Sequence, residues 1–292
     1  MKSILTAFAV LFSVTQFTGQ AQALPIHQKM DFKSAEAFFN QSAQYNYLGI
    51  VKLNNCSGAL VKFENSKDSD SAMVLSNGHC VSTGMFGGMI KPNTAMVHQK
   101  AVRSFQFLKT DGELMSGSVK STEVLYATMT GTDISLYSLD STYAQIKKQF
   151  GVDAIVIDSQ HPTTNTEIDI LSGYWQRGYS CKIDAFVFEL HEENYVSKDS
   201  IRYSPEGCHT IHGTSGSPIL SHATGKIIGI NNTGNDDGEK CTMDNPCEVS
   251  ADGGIFYKKG LSYGQETYQI YTCLDSNGKL DLSRNGCMLF HN

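Results

Sequence analysis

The sequence predicts an all-β fold of two antiparallel six-stranded β-barrels, on three observations. Short apolar or alternating runs recur along the chain, turn-rich stretches separate them, and one helical spacing falls between two sets of six. The first set is Tyr47 to Leu53, Ser57 to Phe63, Met73 to Leu75, Val102 to Leu108, Leu114 to Tyr126 and Ile134 to Leu139. Asn65-Ser66-Lys67-Asp68 and Gly84-Met85-Phe86-Gly87-Gly88 break these runs as barrel connections do. Tyr143, Ile146 and Phe150 lie at helical spacing, so Ser141 to Phe150 predicts a short connecting helix. The second set is Ala154 to Ile157, Ile168 to Leu171, Ala185 to Leu190, Ser217 to Leu220, Lys226 to Ile230 and Gly254 to Tyr257. Two all-β halves of similar size joined by a linker follow from this pattern.

The ends of the chain read differently. Met1-Lys2 opens a short apolar run from Ile4 to Val14, and Ala21-Gln22-Ala23 precedes Leu24-Pro25. A positive start, an apolar stretch too short to span a bilayer and a small-residue cleavage site describe a secretory signal peptide over 1–23. Residues 24–45 are then an N-terminal arm or pro-segment, 46–140 the first barrel, 141–260 the linker and second barrel, and 261–292 a disulfide-tied tail. The expected location is outside the cytoplasm, extracellular or periplasmic. All eight cysteines lie beyond the signal, so disulfides are expected in an oxidising compartment. Net charge is −6 and no Lys/Arg cluster stands out, which disfavours a nucleic-acid partner. No later segment is apolar enough for a membrane partner, and a monomer is expected.

Three stretches carry chemistry. Leu75-Ser76-Asn77-Gly78-His79-Cys80 runs a strand end into a histidine; Gly131-Thr132-Asp133-Ile134-Ser135-Leu136 opens an apolar strand with an aspartate; Gly213-Thr214-Ser215-Gly216-Ser217-Pro218 holds a serine in a glycine-flanked turn. A serine hydroxyl is a poor nucleophile near neutral pH and needs a histidine to take its proton. The histidine in turn needs a carboxylate to fix its tautomer and stabilise the imidazolium. Ser215, His79 and Asp133 are the candidates for these roles. The carbonyl oxygen under attack becomes negative, and Gly213 lets the backbone turn so that the N–H groups of Gly213 and Ser215 converge on it.

These segments resemble the chymotrypsin-like serine proteases, whose motifs are Ala-Ala-His-Cys, Asp-Ile-Ala-Leu and Gly-Asp-Ser-Gly-Gly-Pro. The His…Asp…Ser order is that family's order. The G-x-S-G-S-P loop is closer to its bacterial secreted branch, which includes glutamyl endopeptidase-like and exfoliative-toxin-like members. The resemblance covers roughly residues 46–260. It implies two barrels with the active site between them, a polypeptide substrate, and no metal or organic cofactor. It also implies that Cys56 in Cys56-Ser57-Gly58-Ala59-Leu60 pairs with Cys80, pinning the histidine loop. Cys208 stands at a position used in some bacterial members, with Cys181 as partner. Cys241–Cys247 and Cys273–Cys287 are the local choices for the rest, with crossed pairings open.

Departures from the family pattern matter as much. Thr214 stands where vertebrate trypsins have Asp, so an ion pair from a freshly cut N-terminus to that Asp is not available. His209 occupies the pocket-base position of trypsins, so no acid stands there to bind a Lys or Arg side chain and trypsin specificity is not expected. Gly229-Ile230-Asn231 puts Asn where glutamyl endopeptidases have a pocket His, although Thr210 keeps a hydroxyl those enzymes use. Asn232, Thr233 and Gly234 are expected to bind substrate backbone by strand addition. The acidic run Asn235-Asp236-Asp237-Gly238-Glu239 is expected as a surface loop bordering the pocket.

Other chemistries fit less well. An α/β-hydrolase needs G-x-S-x-G and a histidine after the nucleophile; Ser217 replaces the last Gly, and only His222 and His291 follow. His191-Glu192-Glu193 lacks the second histidine of a zinc hydrolase. Asp275-Ser276-Asn277-Gly278-Lys279-Leu280-Asp281 has a misplaced Gly and no closing Glu for a calcium loop, and reads as a solvated turn. The competing function class is a catalytically silent or zymogen-like relative that binds a partner.

Overall fold

Two sheets close on themselves, one in each half of the chain. The computed structural model describes residues 45–81 and 88–291. The expected signal peptide, residues 24–44 of the arm and most of the Gly84-to-Gly88 turn lie outside the described residues. The first half runs β1 (Ile50–Lys52), β2 (Ser57–Lys62), β3 (Ser71–Ser76), β4 (Ala95–Lys100), β5 (Ser104–Phe107), β6 (Val119–Thr128) and β7 (Ile134–Thr142). Pairing follows β1-β5-β6-β7-β3-β2, and β2 pairs back to β1, which closes a six-stranded barrel. Antiparallel β4 adds to the outside along β6.

Helix α1 (Tyr143–Phe150) follows, as the spacing of Tyr143, Ile146 and Phe150 predicts. It starts on a capping box: Thr142 Oγ1 accepts from Gln145 N at 3.2 Å, and Gln145 Oε1 accepts from Thr142 N at 2.8 Å. The second half contains β8 (Ile155–Val156), β9 (Glu167–Ser172), β10 (Arg177–Glu192), β11 (Tyr195–Tyr203), β12 (Pro218–Ser221), β13 (Ile227–Gly234), β14 (Cys247–Val249), β15 (Ile255–Phe256) and β16 (Ser262–Glu266), then α2 (Gln269–Thr272). The ring β11-β16-β13-β12-β9-β10 closes through β10–β11 pairing. The fold is therefore the predicted pair of six-stranded antiparallel barrels.

Each barrel has its own core. Val51, Leu60, Val74, Phe105 and Tyr137 fill the first, with Phe105 and Tyr137 edge-on at 5.2 Å. Ile168, Ile170, Ile201, Tyr203 and Ile219 fill the second. A third apolar cluster joins Leu75 and Leu136 to Ile227, Ile230 and the C-terminal Ile270, Leu274 and Leu289. Burying a side chain of this size contributes about 1.5–3 kcal/mol, so this shared core fixes one barrel against the other. The tail is tied down by Tyr126 Oη donating to Phe290 O at 2.6 Å and by the Cys273–Cys287 bond.

The strand pattern differs from expectation in the second half. Ile155 and Val156, expected in the second barrel, pair in parallel with β2 of the first. Gly254 to Tyr257 contributes only the exposed edge strand β15. Their places in the second ring are taken by β11 and β16. In β11, Asp199 adopts φ +53°, which breaks the pleat that alternation would report. β16 reads Ser-Tyr-Gly-Gln-Glu and is buried throughout, so small and polar residues hide a core strand inside the segment expected as a tail. Among the described residues, no helix is long and apolar enough to cross a membrane.

Candidate active site

The histidine loop is built by close packing at the end of β3. A Cβ on Gly78 would come 2.0 Å from Thr128 O, so only glycine lets the chain cross β6 here. Asn77 Nδ2 donates to Asp133 O at 2.7 Å, and Ser135 Oγ donates to Asn77 O at 2.8 Å, which locks this loop to the start of β7. Asp133 then grips His79 twice. Its Oδ1 accepts from His79 N at 3.0 Å, and its Oδ2 lies 2.7 Å from His79 Nδ1. With Nδ1 donating to the carboxylate, Nε2 of a neutral ring keeps its lone pair. The Cys56–Cys80 bond ties the residue after His79 to the start of β2.

The second barrel holds the other end of the aspartate loop. Gly131 N donates to Val196 O at 2.9 Å, and Lys198 N donates to Gly131 O at 2.8 Å. The nucleophile loop crosses in the opposite direction, with Ser57 N of β2 donating to Ser215 O at 2.8 Å. His79, Asp133 and Ser215 consequently line one cleft between the barrels. The Ser215 hydroxyl donates to Asn232 O at 3.2 Å and makes no hydrogen bond to the His79 ring.

Thr214 is buried beneath this loop and is held from both sides. Its Oγ1 donates to Ile211 O at 2.5 Å and accepts from Asn231 Nδ2 at 3.1 Å, while Tyr203 Oη donates to Asn231 Oδ1 at 3.1 Å. An internal neutral chain thus occupies the place where a charged Asp would need a partner. Asn231 lines the cleft, but its amide is committed to that chain.

Gly213 adopts φ +88°, a conformation glycine reaches without strain. The N–H groups of Gly213 and Ser215 have no backbone acceptor among the described residues. On the far side of the same peptide, Trp175 Nε1 donates to His212 O at 2.6 Å. A trans peptide points its C=O and N–H in opposite directions, so this bond turns the Gly213 N–H away from Trp175. The Cys181–Cys208 and Cys241–Cys247 bonds brace the neighbouring loops.

Of the remaining expected substrate residues, Thr210, Asn232, Thr233 and Gly234 line the cleft. His209 is exposed and is not among the lining residues. The cleft is acidic through residues the motifs do not mark: Glu192 at the end of β10, Asp244 in the Cys241–Cys247 loop, and Asp236, with no Lys or Arg among the described residues that line it. Asp236 from the acidic run faces His212 Nε2 at 3.0 Å. No signal in the sequence links Glu192 to Asp244, because their approach depends on a loop folding back over β10. Glu192 Oε1 accepts from Asp244 N at 2.8 Å.

Charge sets the proton affinities. Burial works against a charged His79 ring, but the charge and hydrogen bond of Asp133 outweigh it, with Glu192 and Asp244 adding to the effect, so the imidazole lies above its ordinary value. Burial pushes the Glu192 carboxyl up to about 7, against the opposing Asp244 N–H bond. The arrangement has an oriented base, a hydroxyl and two unpaired N–H donors, which are the parts of nucleophilic acyl transfer.

No curated protein matches the sequence. Among solved structures, the chain is similar to the MamO protease domain from Magnetospirillum magneticum, at 13% identity over 80% of this chain and 98% of that one, TM-score 0.47. It is similar to the active form of the Rv3671c protease from M. tuberculosis, at 12% identity over 96% and 95%, TM-score 0.47. It is also similar to a Nocardiopsis protease, at 14% identity over 76% and 91%, TM-score 0.42. The family of trypsin-like peptidase domains matches residues 56–230, more than half of the sequence. With both barrels closed around that span, the chain belongs to the trypsin-like peptidase domain family.

Proposed function

We propose that the protein is a secreted serine endopeptidase that hydrolyses peptide bonds through an acyl-enzyme on Ser215. The observation that carries this reading is the 2.7 Å contact between His79 Nδ1 and Asp133 Oδ2 in the cleft that Ser215 also lines. Ser215 Oγ attacks the scissile carbonyl carbon as His79 Nε2 takes its proton, and the carbonyl oxygen becomes an oxyanion facing the Gly213 and Ser215 N–H groups. Collapse breaks the C–N bond, and His79 returns the proton to the leaving amine. A water then repeats the sequence on the ester and frees Ser215. Asp133 stays ionised throughout and steadies the imidazolium. The first step requires Oγ to leave Asn232 O and turn to the imidazole, a tightening common between resting and substrate-bound sites.

Substrate backbone is proposed to lie along Asn232–Gly234. On the β12 side the backbone bonds of β13 end at Asn231, which pairs with Ser217 and Gly216, and the edge beyond it has no backbone partner there among the described residues. The acidic lining supports substrates carrying Lys or Arg. Asp236 and Asp244 supply negative charge that the His209 position lacks, and Glu192 adds to it as it ionises near pH 7.

The bond from the Ser215 hydroxyl to Asn232 O favours a second reading, a silent or zymogen-like relative that binds a polypeptide without cutting it. Incubation of the secreted protein with a peptide library, read by mass spectrometry, decides between them. Cleavage that Ser215→Ala abolishes, with Lys or Arg enriched next to the cut, is the expected result. Binding of peptides without cleavage by the mature protein would leave only the second reading.

A further inference from the structure

Three segments of the second barrel bring acceptor atoms together away from the cleft. They are His161 in the connection before β9, Asp199 on β11, and Glu266 at the end of β16. His161 Nε2 lies 3.1 Å from Asp199 Oδ2 and 3.1 Å from Glu266 Oε1, and the three donor atoms all fall within 4.8 Å of one another. None of the three residues lines the catalytic cleft.

Hydrogen bonding makes this convergence costly as it stands. His161 Nδ1 faces Pro162 O at 2.5 Å, and a carbonyl only accepts, so the ring proton of the neutral imidazole is spent there. With Nδ1 bonded to that carbonyl, Nε2 of a neutral ring turns a lone pair towards two carboxylate oxygens. Glu266 is only 2% exposed, and among the described residues neither of its oxygens has a hydrogen-bond partner; Oε1 lies 3.1 Å from His161 Nε2. A buried carboxylate without donors is strongly disfavoured unless an opposite charge meets it. Three side chains from separate segments whose acceptor atoms converge within 4.8 Å, one of them buried and without a hydrogen bond, are arranged for a cation.

We propose that His161 Nε2, Asp199 Oδ2 and Glu266 Oε1 form a binding site for a divalent metal ion of the zinc type. The separations suit it: at bond lengths of about 2.0–2.2 Å, tetrahedral donors stand about 3.3–3.5 Å apart. Two carboxylates neutralise the ion, and the partly exposed His161 side leaves room for water in the fourth position. The second shell is also in place. The Pro162 carbonyl holds the far ring nitrogen, as carbonyls do behind metal-bound histidines, and Tyr268 Oη donates to Asp199 Oδ2 at 3.3 Å. Phe186 and Tyr268 pack on the imidazole at 4.5 and 5.1 Å and fix its plane. An imidazole ligand and three protein donors disfavour Ca²⁺, which takes six to eight oxygens. The bound ion cross-links three stretches of the second barrel and is structural, independent of the proposed peptidase activity.

The test is titration calorimetry of the chelator-stripped, full-length secreted protein with Zn²⁺, alongside thermal unfolding. Wild type is expected to bind one equivalent at micromolar Kd or tighter, with a melting temperature raised by about 5 °C at saturating metal. His161→Ala, at a partly exposed position, and Asp199→Asn, which tolerates φ +53°, are each expected to keep the metal-free melting temperature and weaken that binding at least tenfold. Ca²⁺ is expected to bind at least tenfold more weakly than Zn²⁺. Wild type that binds no Zn²⁺, or both variants binding it as tightly as wild type through other surface histidines, would overturn the proposal.

Discussion

Trp175 Nε1 is bonded to the carbonyl of His212 at 2.6 Å, on the reverse side of the peptide whose N–H belongs to Gly213. Trp175 lies in the turn between β9 and β10, so an indole from the barrel wall sets the orientation of a loop peptide at the candidate oxyanion site. A Cβ on Gly213 would lie 2.7 Å from Tyr174 Cδ1 and 2.9 Å from Trp175 Nε1, which shows how closely the two aromatic residues press on this peptide. Trp175 acts through the peptide and is a positioning residue.

Trp175→Phe keeps most of the ring and removes the donor. Loss of a whole oxyanion donor costs about 10²–10³ in rate, so a loosened one is expected to lower kcat about tenfold. KM should change less than threefold, because ground-state substrate does not need that N–H. Steady-state kinetics on a cleaved peptide separate the two effects, and a rise in KM at constant kcat would assign Trp175 to substrate binding.

Asp133→Asn removes the charge and leaves the size. The amide can present its N–H to Nδ1 and force the wrong tautomer, so kcat at neutral pH is expected to fall by about 10⁴. The melting temperature should move little, since the Asn77 bond goes to the backbone oxygen of Asp133. Kinetics paired with thermal unfolding distinguish this from general loosening of the loop.

The pH profile follows from the His79 environment. Only the neutral ring accepts a proton, and the charge and hydrogen bond of Asp133 outweigh the opposing effect of burial and raise its affinity. The acid limb of kcat/KM is therefore expected above the ordinary histidine value of about 6.5. Glu192→Gln removes a carboxylate that favours the imidazolium once it ionises near pH 7, so the limb should shift modestly to lower pH. The same variant should weaken selection for Lys and Arg substrates. A limb unmoved in Glu192→Gln would mean that Glu192 does not act on His79.

Removing the Cys56–Cys80 bond tests the pinning of the histidine loop. Replacing both cysteines by Ala is expected to cost about 2–4 kcal/mol of stability, measured by denaturant unfolding. The remaining folded protein should also lose kcat, because Cys80 directly follows His79 and the bond holds it to β2.

How much of this was legible in the sequence depended on how local the signal was. His79, Asp133 and Ser215 each sit where a strand meets a turn, and fixed neighbours such as Gly78 and Gly216 mark those turns. Thr210 and Asn232 to Gly234 reach the cleft by following from the same segments. Glu192 does not carry such a mark: it ends a 16-residue strand, and only the fold of the Cys241–Cys247 loop brings Asp244 N to it. His209 was placed by motif position alone, and the turn before Thr210 leaves it exposed. The same limit applies to β16, where burial comes from neighbours on both faces and hydrophobic alternation has nothing to report.

Labelling by a fluorophosphonate tests the central claim most directly. The probe forms an Oγ–P bond and expels fluoride only where a serine is activated by its histidine, so peptide mapping reads both the reaction and its position. The purified protein is predicted to gain one adduct, on Ser215, and to lose it in His79→Ala. Absence of labelling at Ser215 under conditions that label a control serine protease would contradict the account.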